Sequence, residues 1–191
     1  MKLSATRAAG AMCLAVFLAS CGSGSEHDDA DATATAASGI TMPSDWKATD
    51  ACSILDKAVV ADALKVELTE TQLNLVNEPD ALNAGSSECS YLDGTGSAAA
   101  TLLTRWSPTK DNSAGAITAA RQAAASALKA MSDEPLEDIP DLGKAAFFVP
   151  GINQLQVFID DSRMVIITPG RVPDGATGKD VAIALARKVG A

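Results

Sequence analysis

The sequence predicts an α+β fold: an antiparallel sheet of about five strands with helices packed on one face. Three observations lead there. Runs rich in Val, Ile, Phe and Thr fill the stretch after Leu142, and Pro150-Gly151 and Asp160-Asp161 separate them. Strands joined by such tight turns pair antiparallel. Other segments carry apolar residues at helical spacing, and each must bury its stripe against a sheet.

Taken in order, Asp50 to Leu64 reads as helix, whole or in two short pieces broken near Asp56. Ile54, Leu55, Ala58, Val59, Ala63 and Leu64 form its apolar set, and Asp50 or Ser53 can cap it. Val66 to Val76 is the least clearly patterned segment, read as an extended strand through Leu68, Leu73, Leu75 and Val76. Asn77 to Ser87 is expected to be loop. Glu88–Leu92 and Ala98–Trp106 make a hairpin around Asp93-Gly94-Thr95-Gly96. A helix follows, started at Ser107-Pro108 or capped by Asn112 or Ser113, with Ile117, Ala120, Ala124, Leu128 and Met131 on one stripe. Ser132 to Leu142 reads as an acidic loop holding Pro135 and Pro140. Strands are expected over Ala145–Val149, Leu155–Asp160 and Arg163–Thr168. Thr177 to Asp180 has the pattern of a capping box and opens a last helix, with Val181, Ala184, Leu185 and Val189 inward.

Composition narrows the function classes. The chain has 191 residues, is 47% hydrophobic and only 4% aromatic, and carries a net charge of −9. A chain this acidic does not bind nucleic acid through clustered positive charge. Its one His excludes a multi-histidine metal site and argues against His-based catalysis. No cofactor is expected. Residues 45–191 suffice for one ordinary domain with its own core.

The first twenty residues are an address. Lys2 and Arg7 supply a positive start, and Ala8 to Leu18 is apolar but too short to span a bilayer. Leu18-Ala19-Ser20-Cys21-Gly22 follows. It resembles the lipobox of bacterial lipoproteins, an aliphatic residue and two small ones before an obligatory Cys. The resemblance implies cleavage after Ser20, a diacylglyceryl group on the Cys21 thiol and, usually, acylation of the new amino terminus. Two or more long chains hold a protein to a leaflet, at about 0.8 kcal/mol per buried methylene. If the host has two membranes, the absence of Asp at position 22 points by the same resemblance to the outer one.

Residues 21–44 read as the lipidated Cys and a flexible acidic linker. Gly-Ser repeats precede Glu26-His27-Asp28-Asp29 and an Ala/Thr/Asp run without apolar period. A coil of this length spans roughly 25 Å. His27 and its neighbouring Asp residues have no preformed geometry for a metal. An acidic domain on such a tether is expected to stand off anionic lipid.

Cys13 leaves with the leader and Cys21 takes the lipid, so Cys52 and Cys89 remain in an oxidising compartment. With no Cys-x-x-Cys and no neighbouring His, a structural disulfide is the economical reading. It adds one bridge to the expected fold. Asp50-Ala51-Cys52-Ser53-Ile54-Leu55, Val59-Val60-Ala61-Asp62-Ala63-Leu64, Cys89-Ser90-Tyr91 and Leu142-Gly143-Lys144-Ala145-Ala146-Phe147 carry a further similarity. They resemble the Cys-Ser-Leu-Leu, Cys-x-Trp and Gly-Ala-Ala segments of uncharacterised lipoprotein and sensor-like domains of actinobacterial type. Ile54 stands here for Leu, Tyr91 for Trp, and no Gly ends the first helix. The resemblance implies an extracytoplasmic α+β domain with a disulfide, and transfers no catalytic residue.

Other constellations fail on chemistry. Gly178-Lys179 echoes a phosphate-binding loop, but Pro173 occupies the required Gly position and Asp180 replaces the hydroxyl. Asp133, Glu134, Glu137, Asp138 and Asp141 lack the spacing of a calcium loop and read as a solvated connector. No Gly-x-Ser-x-Gly is present. Adjacent Phe147 and Phe148 point to opposite faces of one strand, and burial on both is the simpler expectation. The function expected is that of a lipid-anchored cell-envelope protein, attached to the membrane through its anchor. Its non-enzymatic domain would bind a protein, a peptide or a small envelope ligand. A surface inhibitor or immunity lipoprotein against a secreted toxin is the first alternative, and a carboxylate-dependent envelope enzyme the second.

Overall fold

The computed structural model describes residue 40 and residues 42–191, so the expected leader, Cys21 and most of the linker lie outside the described residues. Four helices and seven strands follow in the order α1 (Ala51–Ile54), α2 (Lys57–Leu64), β1 (Leu68–Asn77), β2 (Gly85–Asp93), β3 (Ala98–Trp106), α3 (Ala114–Lys129), β4 (Glu137–Asp138), β5 (Ala145–Val149), β6 (Gln154–Phe158), β7 (Arg163–Pro169) and α4 (Gly178–Lys188).

All seven strands form one antiparallel sheet, ordered β1-β2-β3-β7-β6-β5-β4. The count exceeds the expected five or so for two reasons. Leu68–Asn77 pairs with β2 for most of its length, and Glu137–Asp138, inside the expected acidic loop, pairs with Phe148 and Phe147. The expected loop also ends early, because Gly85 to Ser87 already pair with Trp106 to Thr104.

The helices are not confined to one face. Register aligns Phe148, Leu155, Ile167, Leu102 and Cys89 in a row across five strands. This row belongs to the main core, with Ala51 of α1, Val60 and Leu64 of α2, and Val181, Leu185 and Ala186 of α4. The alternate residues Phe147, Phe158, Met164, Leu103 and Ile166 form a second cluster with Ile117, Ala120, Ala124 and Leu128 of α3. Period-two alternation sends these two sets to opposite faces, so α3 covers the side that α1, α2 and α4 leave open. Both Phe147 and Phe148 are therefore buried. Towards β2 and β1 the second-face row continues as Glu88 and Asn74, polar residues beyond the reach of α3.

Local chemistry sets the helix ends. Asp56 breaks the first helical stretch, because its carboxylate accepts the Ala58 N–H at 2.6 Å and starts α2 afresh. Lys65 ends α2 in the left-handed conformation at φ 54° where glycine is commoner. Ser113, not Ser107, caps α3. Thr177 caps α4 and exchanges hydrogen bonds with Asp180. Met131 lies beyond α3 and is exposed, and Ala184 faces solvent while Ala182 and Ala186 point inward. Gly143 has φ +60°, and a Cβ there would stand 2.6 Å from the Phe158 carbonyl oxygen.

The β1 edge is irregular. Its pairing with β2 shifts register at Leu68/Glu70 and again at Asn74/Asn77, and Leu75 sits at φ 50°. Leu73, Leu75 and Val76 are exposed along it. At the other edge, both residues of β4 are charged and ion-paired.

Replacing Phe147 with Ala opens the contact between α3 and the sheet. We expect a loss of about 3–5 kcal/mol in urea unfolding. Replacing the exposed Met131 with Ala is expected to change stability by less than about 0.5 kcal/mol.

Candidate functional site

Three alternate residues on one face of β2 hold a segment that lines one of the clefts. Ser87 Oγ donates to the Ala48 carbonyl at 2.8 Å and accepts the Ala51 N–H at 2.8 Å. Cys89 is bonded to Cys52, with Cα atoms 5.0 Å apart. The Tyr91 hydroxyl donates to the Leu55 carbonyl at 2.7 Å. Thr104 on β3 adds a second donor to Ala48, at 3.0 Å. Burial, and then the Asp56 charge, push the Tyr91 phenol well above its ordinary pKa, so its proton stays on the hydroxyl that donates.

The segment held in this way carries Asp45, Trp46, Lys47 and Ser53 to one wall of a cleft of about 520 Å³. Arg163, at the start of β7, and Lys188, at the end of α4, close it. Trp46 is only 2% exposed, and its indole Nε1 is buried with no hydrogen-bond partner among the described residues. The Arg163 guanidinium carbon lies 5.4 Å from the Trp46 ring centroid, within range of a cation–π contact. Arg163 Nε donates to Asp160 Oδ2 at 2.7 Å, and Asp160 Oδ1 accepts the N–H groups of Ser162 and Arg163. Burial raises the pKa of Asp160. The backbone donors of Arg163 and Ser162, followed by the Arg163 side chain, outweigh it and hold the carboxyl below its ordinary value.

The sequence-singled residues are dispersed or occupied. Glu137 accepts from Lys179 Nζ at 2.6 Å and Asp138 from Arg121 Nε at 2.7 Å, so the acidic run is tied to helices on opposite faces of the sheet. No group of three His, Cys, Asp or Glu among the described residues is placed to hold a metal ion. Gly178 serves packing, since a Cβ there would meet Asn153 Oδ1 at 2.3 Å. His27 and Cys21 lie outside the described residues. Among those residues no helix is long and apolar enough to cross a membrane.

Asp93 is the most strongly perturbed carboxylate, and it is structural. It accepts from the Thr95 hydroxyl and N–H, from Ser97 N–H at 3.2 Å, and from Arg171 Nε at 2.9 Å. The Thr95 hydroxyl contributes most, then the Thr95 N–H and Arg171, and together they hold the carboxyl far below its usual range. This network closes the β2–β3 turn and fastens the loop after β7 to it.

Trp46, Lys47, Arg163 and Lys188 formed no sequence pattern. They come from three distant segments, and only the fold assembles them. Compared with protein-family models, curated proteins and solved structures, the chain finds no match.

Because the Asp93 pKa is depressed on folding, the carboxylate stabilises the fold above the unfolded value of about 3.9. That contribution fades as pH falls through the folded value. Asp93→Asn is expected to lower the melting temperature at pH 7, with the gap to the parent narrowing below about pH 4. A gap independent of pH in thermal melts would contradict the assignment.

Proposed function

We propose that this is a lipid-anchored protein of the bacterial cell envelope, attached through Cys21, whose domain binds a ligand without transforming it. The Cys52–Cys89 disulfide is the observation that carries the reading. Such bonds persist in oxidising compartments and are rare in a reducing cytosol. The ordered leader, from Lys2 and Arg7 through the apolar run to Leu18-Ala19-Ser20-Cys21, supports the same compartment. So does the resemblance to uncharacterised actinobacterial-type lipoprotein domains, which share the Cys-Ser and second-Cys segments.

The cleft supports binding over catalysis. Lys47, Arg163 and Lys188 line it beside the buried Trp46 indole, and Asp160 next to it is occupied by three donors. The most perturbed carboxylate, Asp93, lies in the β2–β3 turn rather than in this cleft. Ile40 and Met42 pack against the main core, so the folded domain starts ahead of the expected boundary at residue 45.

Metabolic labelling with a palmitate analogue tests the anchor. The mature protein is expected to take up label and to partition with membranes, and Cys21→Ala to abolish both. Unlabelled mature protein in the soluble fraction overturns the reading.

A further inference from the structure

We propose that the cleft lined by Trp46, Lys47, Arg163 and Lys188 binds a phosphate-bearing anion. The inference rests on the domain being a binding module, and not on the anchor at Cys21.

The charge distribution is the first argument. The chain carries a net charge of −9, yet three cations from separate segments line one cleft. Holding like charges together is unfavourable unless something negative joins them. Asp160 engages Arg163 through Nε, and no hydrogen bond among the described residues uses Nη1 or Nη2. Lys47 and Lys188 form no ion pair among the described residues, although the Lys188 charge reaches Asp62 and helps lower its pKa after Lys65. Asp45 is a carboxylate on the same wall, and Asp160 sits behind Arg163. These two offset part of the positive charge and leave the lysines to a ligand.

The second argument is the orphaned indole. A buried N–H without an acceptor is costly, and native folds rarely leave one. Trp46 forms part of the cleft wall, and Arg163 stacks against its ring. Nε1 itself is closed to solvent, so a ligand oxygen that accepts from it must first displace the side chains that cover it. Phosphate suits this set because its several oxygens can meet two ammonium groups, a guanidinium edge and a neutral N–H together. A volume of about 520 Å³ leaves room for an organic body behind the phosphate. A free phosphate ester and a phospholipid headgroup share this chemistry.

The test uses the mature chain from Cys21 onward, labelled with ¹⁵N and left unlipidated. Inorganic pyrophosphate is titrated while the Trp46 indole resonance is followed, with potassium chloride at matched ionic strength as control. Saturable movement of that resonance is expected. Lys47→Ala and Lys188→Ala should each weaken binding roughly fivefold, as expected of one cation near a dense anion. Trp46→Phe, which keeps an aromatic face but removes the N–H and the pyrrole ring, should weaken it about threefold to tenfold. Lys129→Ala makes the same charge change on α3, across the sheet, and should leave binding unaltered. If Trp46→Phe does not fold, the exposed Lys188 carries the test. A second arm sediments the protein with vesicles of phosphatidylglycerol and phosphatidylcholine in equal parts, or of phosphatidylcholine alone. Pelleting with the first only, lost in Lys47→Ala, assigns the headgroup. Pyrophosphate binding without pelleting assigns a free phosphate ester. The proposal is overturned by no saturable response in either arm, by an equal response to chloride, or by Lys129→Ala weakening binding as much as Lys188→Ala. Palmitate labelling reports on the anchor and this titration on the cleft, so each can fail alone.

Discussion

Ser87, Cys89 and Tyr91 stand at alternate positions of β2 and therefore share a face. Each grips a different point of the stretch from Ala48 to Leu55: a carbonyl and an amide, a sulfur, and a second carbonyl. A four-residue helix has too few internal hydrogen bonds to persist alone. Here α1 is held because the sheet satisfies the backbone groups beside it. The covalent bond lies in the middle of the three and closes a 37-residue separation, which restricts the unfolded chain far more than a local contact would. Placing Ala48 and Ala51 also places Trp46, Lys47 and Ser53, so one wall of the cleft is a consequence of this strand face.

The opposite wall depends on how two meanders become one sheet. β1-β2-β3 and β4-β5-β6-β7 are each joined locally, and only the pairing of β3 with β7 unites them. That pairing sets Trp106 against Arg163, the residue whose guanidinium meets Trp46. Once united, the sheet has two apolar faces over β5, β6 and β7, and α3 must lie across the second. Over β1 and β2 the second face turns polar with Glu88, Ser86 and Asn74, and no helix is needed there.

Much of this was legible in the sequence, and the rest fails for physical reasons. The hairpin around Asp93, the three C-terminal strands and the capped last helix have strong local signals: alternation, turn residues and a capping box. The Cys52–Cys89 bond followed from counting thiols. The single helical face was misjudged, because Phe147 and Phe148 alternate across a strand apolar on both sides, and burial on both sides requires cover on both. The short β4 was hidden because Glu137 and Asp138 carry no strand propensity and pair only through tertiary context. Lys65 and Leu75 occupy left-handed backbone that their side chains do not announce. The cleft was invisible for a different reason. Lys47, Arg163 and Lys188 reach one cleft from a turn, a strand start and a helix end through tertiary packing, which no local window contains.

The crooked outer border of the sheet has a consequence for how readily one copy could pair with another. A straight ten-residue border would offer its free amides and carbonyls as a template, and neighbouring molecules would zip together into growing stacks. Two slips of register and the left-handed backbone conformation of Leu75 interrupt that template, and the far border is two charged residues long. Leu73, Leu75 and Val76 are thus exposed along a border whose hydrogen-bonding template is broken.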